Sequence, residues 1–113
     1  MSEDQARVLS LACETLARLG MGQVDFALDY VPGELDWDQR NAVKHMLAKP
    51  MGFDHPNASL GIRAASLHAR RAWDLHAVIR QQIALNNDFP AMDTWRREPD
   101  QLAGEPLPKC TIA

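Results

Sequence analysis

Two cysteines, no CxxC pair and no cysteine–histidine spacing of the zinc type leave this 113-residue chain without a disulfide framework or a local structural metal site. Cys13 falls inside an apolar helical pattern and Cys110 near the C-terminal end, so both read as free thiols. No uncharged run approaches the ~20 residues that a membrane-spanning helix needs, and no membrane segment is expected. No secretory leader is expected either. The opening Met-Ser-Glu-Asp-Gln is acidic where a leader is basic, which makes the cytoplasm the expected compartment. GxSxG, HExxH, a glycine-rich phosphate loop and the alternating acids of a calcium loop do not occur. No catalytic residue, metal ligand or cofactor is therefore assigned, and the chain reads as non-enzymatic.

With 6 glycines, 7 prolines and 24% charged residues, neither a collagen-like repeat nor disorder can be the main content. A hydrophobic share of 46% at this length suits a single packed domain. Ser2-Glu3-Asp4-Gln5 has the form of a capping box, in which serine and glutamine side chains satisfy amides at a helix start. Val8, Leu9, Leu11, Ala12, Leu16 and Leu19 then recur at spacings of three and four, predicting a helix over 2–19 with Gly20 as its left-handed stop. Residues 21–30 alternate apolar and polar while also fitting a short helix, so periodicity does not decide them.

Pro32-Gly33 is a turn, and Asp36 caps a second helix from Trp37 to about Lys49, with Trp37, Val43, Met46 and Leu47 on its buried side. Pro50 ends it, and residues 51–57 form a loop. A longer helix follows, firm over 64–85, with Leu67, Ala72, Leu75, Ile79 and Ile83 on one stripe. Trp37, Leu75, Ile79 and Ile83 are expected in one core. Beyond residue 87 four prolines forbid a continuous helix, and Phe89, Met92, Trp95, Leu102, Leu107 and Ile112 are anchors for an arm. The fold expected is all-α: a helical domain over 1–87, made of a small bundle of three to four helices, and an irregular proline-rich C-terminal arm over 88–113 docked on it.

Charge is segregated along the chain. Residues 1–38 carry eight acids against Arg7 and Arg18, a net −6, whereas 39–85 carry a net +5 and the remainder −2. Oppositely charged segments can neutralise each other, or one of them can face a partner. Asp25, Asp29, Glu34, Asp36 and Asp38 lie in a stretch free of Lys and Arg from Leu19 to Gln39. They are the candidate partner-binding face, and a partner recognising them should be basic. The expected function is thus binding of another protein or of a second copy as a homodimer, as an adaptor, regulator, inhibitor or immunity-type protein does.

The alternative is a nucleic-acid-binding regulator. Its residues would be Arg63, Arg70, Arg71, Trp73 and Arg80 on the basic helix, where arginines can grip phosphate and tryptophan can stack. At 100° per residue Trp73, His76 and Arg80 share a narrow arc. Asp74, however, stands within reach of Arg70 and Arg71 and would occupy them in surface pairs. A small enzyme assembled around His45, His55, His68 and His76 is the reserve reading.

Overall fold

The computed structural model describes residues 1–87 and 94–113. The arm anchors Phe89 and Met92 lie outside the described residues. Within them the chain is all-α, a small helical bundle: α1 Glu3–Gly20, α2 Val24–Leu28, α3 Trp37–Ala48 and α4 Leu67–Leu85, with a 3-10 turn at Ile62–Ala64 and no strand. Residues 21–30, ambiguous in pattern, contribute the five-residue α2.

The start of α1 is the capping box itself. Ser2 Oγ accepts from the Gln5 amide at 3.1 Å, and Gln5 Oε1 accepts from the Ser2 amide at 2.9 Å. Gly20 is still helical, and the left-handed residue is Gly22, at φ +86°. Gly20 serves a different need: a Cβ there would lie 2.5 Å from Ala69 Cβ, so only glycine lets α1 and α4 approach this closely.

The pairing of α1 with α4 is the centre of the molecule. Ala6 packs with Ile79 and Ile83, Ser10 meets His76, and Gly20 meets Ala69, so the two helices run antiparallel. The inward face of α1 is made of Ala6, Ser10 and Ala17. This corrects the expected stripe: Val8 is 69% exposed, Leu16 54%, and Leu9 is also exposed. Small residues face α4 because they permit the shorter interaxial distance. On α4 the expected stripe holds for Ala72, Ile79 and Ile83, while Leu67 and Leu75 are exposed.

α3 buries no residue at all. Trp37 is 75% exposed, Met46 and Leu47 are exposed, and Val43 is only half-buried, so neither the buried side predicted for this helix nor a core shared by Trp37 and Leu75 with Ile79 and Ile83 exists. The physical reason lies in what α3 rests on. Its helical neighbour α2 has five residues and offers little apolar area, and ion pairs hold the two together instead. At the far end of α3 the chain turns back so that the Phe53 ring fills the space that a side chain on Gly22 would take.

From 94 to 113 the chain has one 3-10 turn at 94–96 and is otherwise irregular. Asp74, 3% exposed, accepts the amides of Leu102 and Ala103 at 3.1 Å each. Asp74 therefore does not pair with Arg70 or Arg71. Two charge-assisted bonds to otherwise unmatched backbone donors outweigh a surface ion pair worth a few tenths of a kcal/mol. Cys110 and Ile112 then pack against the cluster of Ala6, Ile79 and Ile83. Among the described residues no helix is long and apolar enough to cross a membrane.

Candidate functional site

The acidic candidates divide into two groups. Asp25 bonds Lys44 at 2.8 Å and Asp29 bonds Arg40 at 2.7 Å, so both fasten α2 to α3. Asp36 accepts the Gln39 amide at 2.8 Å as the N-cap of α3, with Gln39 returning the bond. Glu34 and Asp38 are exposed and have no ion-pair partner among the described residues. Tyr30, Val31 and Trp37, all exposed, stand in the same nine-residue span.

The basic candidates are drawn mostly toward the C-terminal segment. Arg71 grips Glu105 through two bonds of 2.8 and 3.1 Å, which hold the guanidinium above and the carboxyl below their ordinary pKa values. Arg63 reaches Asp100 at 3.4 Å, and Arg70 donates to the Ala65 and Leu102 carbonyls. Trp73 and Arg80 turn to another side of α4, where they meet α1 and Trp95. The five are not one open basic face.

Around Arg80 lies the polar cluster that sequence reasoning did not assemble. Ser10 and Glu14 come from α1, His76 and Arg80 from α4, and Trp95 from the C-terminal segment. His76 is 2% exposed; its Nδ1 lies 2.7 Å from Ser10 Oγ and 3.2 Å from the Ser10 carbonyl. Arg80 Nη1 donates to His76 Nε2 at 3.1 Å. A guanidinium has only protons to offer, so Nε2 is the acceptor and the imidazole hydrogen sits on Nδ1. Glu14 Oε1 stands 3.6 Å from the same Nε2, while Oε2 accepts from Arg18 Nε at 2.7 Å.

This arrangement has a serine, a histidine and a glutamate together, with the histidine already engaged on both ring nitrogens. The nitrogen facing Ser10 already carries the hydrogen, and the nitrogen that could accept one is occupied by Arg80. Burial pushes His76 below its ordinary pKa; Glu14 opposes this, Arg80 reinforces it, the Ser10 carbonyl opposes it and Arg18 reinforces it. The other histidines are exposed and dispersed, His45 on α3, His55 in the following loop and His68 at the start of α4. Among the described residues no group of three or more His, Cys, Asp or Glu side chains converges on a metal-sized space.

The lowered His76 pKa fixes a pH dependence. The unfolded chain binds a proton near pH 6.5 and the folded chain does so only at lower pH, so stability is complete above that value and declines as pH falls below it. The slope should reach about 1.4 kcal/mol per pH unit at most. Urea midpoints taken between about pH 7 and pH 5, before the carboxylates titrate, are expected to fall, and His76→Gln should flatten the trend.

Searches of protein-family models, curated proteins and solved structures found no match to the chain.

Proposed function

We propose that the protein is a small, non-enzymatic, cytoplasmic interaction protein that binds a basic protein partner through the surface formed by residues 30–38. The observation that carries this reading is Trp37, 75% exposed at the start of α3 between Glu34 and Asp38, which have no ion-pair partner among the described residues. A tryptophan left in water costs hydrophobic free energy that a partner recovers on contact, and aromatic anchors of this kind dominate interface energetics. Tyr30, 56% exposed, and Val31 extend the apolar part of the surface. Glu34, Asp36 and Asp38 supply a rim of one sign, which selects and steers cationic partners. Asp25 and Asp29 act here by holding α2 against Arg40 and Lys44.

The nucleic-acid alternative needs Arg63, Arg70, Arg71, Trp73 and Arg80 to be available together. Engagement of the first three with Asp100, backbone carbonyls and Glu105 weighs against it. The test is a nuclease-treated pull-down with wild type, Trp37→Ala and the Glu34→Lys/Asp38→Lys pair, alongside Arg63→Ala/Arg71→Ala. Loss of a basic partner in the first two variants alone is expected, with each acidic-face variant melting within about 0.5 kcal/mol of wild type. Binding retained by those variants, or removed by nuclease, would overturn the reading. Sedimentation of the purified protein distinguishes a second copy from a foreign partner.

A further inference from the structure

Among the described residues Arg80 is a cation with no carboxylate bonded to it. Its guanidinium lies over the Trp95 ring at 3.6 Å from the centroid, Nη1 is held by the neutral His76, and Nε is closed off from solvent with no acceptor. Glu14, whose charge attracts it, is itself bonded to Arg18. Burial accordingly depresses the Arg80 pKa. Among the described residues one carboxylate, Glu14, thus stands among two guanidiniums and an uncharged imidazole, an excess of one positive charge. Such a partly buried, under-paired charge is costly in an isolated protein.

The charge opens onto a cleft of about 410 Å³ between α1, α4 and Trp95. That volume is within the range of small-molecule sites. Leu11, Ile83 and Trp95 give the cleft apolar wall area, and Arg7, at its rim, is paired with Glu3. This cleft carries one acid, Glu14, already bonded to Arg18, whereas a second cleft beside Arg80 carries two, Glu98 and Asp100, together with Arg97. With Nη1 held by His76 and Nε sealed, Nη2 and its two hydrogens are the donors left to meet an anion.

We propose that this cleft binds a small organic monoanion, a carboxylate on an apolar or aromatic body, with Arg80 as the anchoring cation. The carboxylate bonds Nη2, the guanidinium nitrogen that neither His76 nor burial takes up. Its apolar body lies against Leu11, Ile83 and the Trp95 ring. A single excess charge matches a monoanion better than a phosphate dianion, and the cleft walls reward an apolar body that an inorganic ion lacks. The site is separate from the 30–38 surface and stands or falls without it.

Benzoate is the probe, with benzamide as its uncharged counterpart and inorganic phosphate as the bare anion. The three indole N–H signals in a proton–nitrogen correlation spectrum give the readout. Benzoate is expected to shift the Trp95 signal saturably while Trp37 stays in place, with benzamide and phosphate at least about tenfold weaker, a difference of about 1.4 kcal/mol. Arg80→Met, which keeps the apolar stem, should lose benzoate binding by a similar factor. Arg80→Lys, which keeps the charge but not the planar guanidinium, should fall between and serves if the methionine variant is misfolded. The proposal is overturned by an unsaturable benzoate response, by benzamide binding as tightly as benzoate, by phosphate matching benzoate, or by undiminished binding in a folded Arg80 variant.

Discussion

Replacing Ile79 with aspartate is expected to abolish cooperative folding. Ile79 is 2% exposed and sits in a hydrophobic cluster where α1, α4 and the C-terminal segment meet, against Ala6, Ile83, Cys110 and Ile112. A carboxylate at that point would lose hydration among apolar neighbours, a penalty of several kcal/mol added to the lost apolar contact. Domains of this size are stable by only about 5–15 kcal/mol, and this one has few other large buried side chains to share the loss. Far-ultraviolet circular dichroism against temperature should give a weak or absent transition. Leu75→Asp, one turn earlier but exposed, is the control and should melt within about 1 kcal/mol of wild type. A cooperative melt for Ile79→Asp would reject the helix phase described here.

Asp74→Ala is the second large effect, and it acts through chain attachment. The carboxylate takes two backbone amides, from Leu102 and Ala103, at a point where the irregular segment has no ladder of its own. Bonds to a charged acceptor are worth about 1.5–3 kcal/mol each, so a loss of about 3 kcal/mol is expected after the freed amides regain water. The segment should then come away from α4. Trypsin cleavage after Arg97 and Lys109 is expected to accelerate well beyond the change in global stability, while Asp74→Asn, which keeps one acceptor oxygen, should be intermediate. Equal cleavage rates in Asp74→Ala and wild type would mean that other contacts hold the segment.

Local signals in the sequence were legible where a few neighbouring residues decide the outcome. The capping residues Ser2, Gln5 and Asp36 mark helix starts because the bonds they form span three positions. The arc of Trp73, His76 and Arg80 follows from helical pitch alone. Helix phase was less legible. α1 offers a leucine-rich side and a side of alanine, serine and glycine, and the choice between them depends on the approach of α4. The same limit hid the polar cluster, since Ser10 and His76 are 66 positions apart and Trp95 comes from a third segment. Asp74 was misjudged because the arginines beside it in sequence were visible and the two amides it holds were not.

The small-residue seam between α1 and α4 has a thermodynamic consequence. Among the described residues no large side chain is completely enclosed, and the accessible surface of 7457 Å² exceeds the roughly 6,200 Å² typical of a compact chain of this mass. Unfolding therefore uncovers less new apolar area than is usual for 113 residues. The heat-capacity increment and the urea m-value both scale with that area, so both should be low for the length, giving a flat stability curve and a broad transition in denaturant.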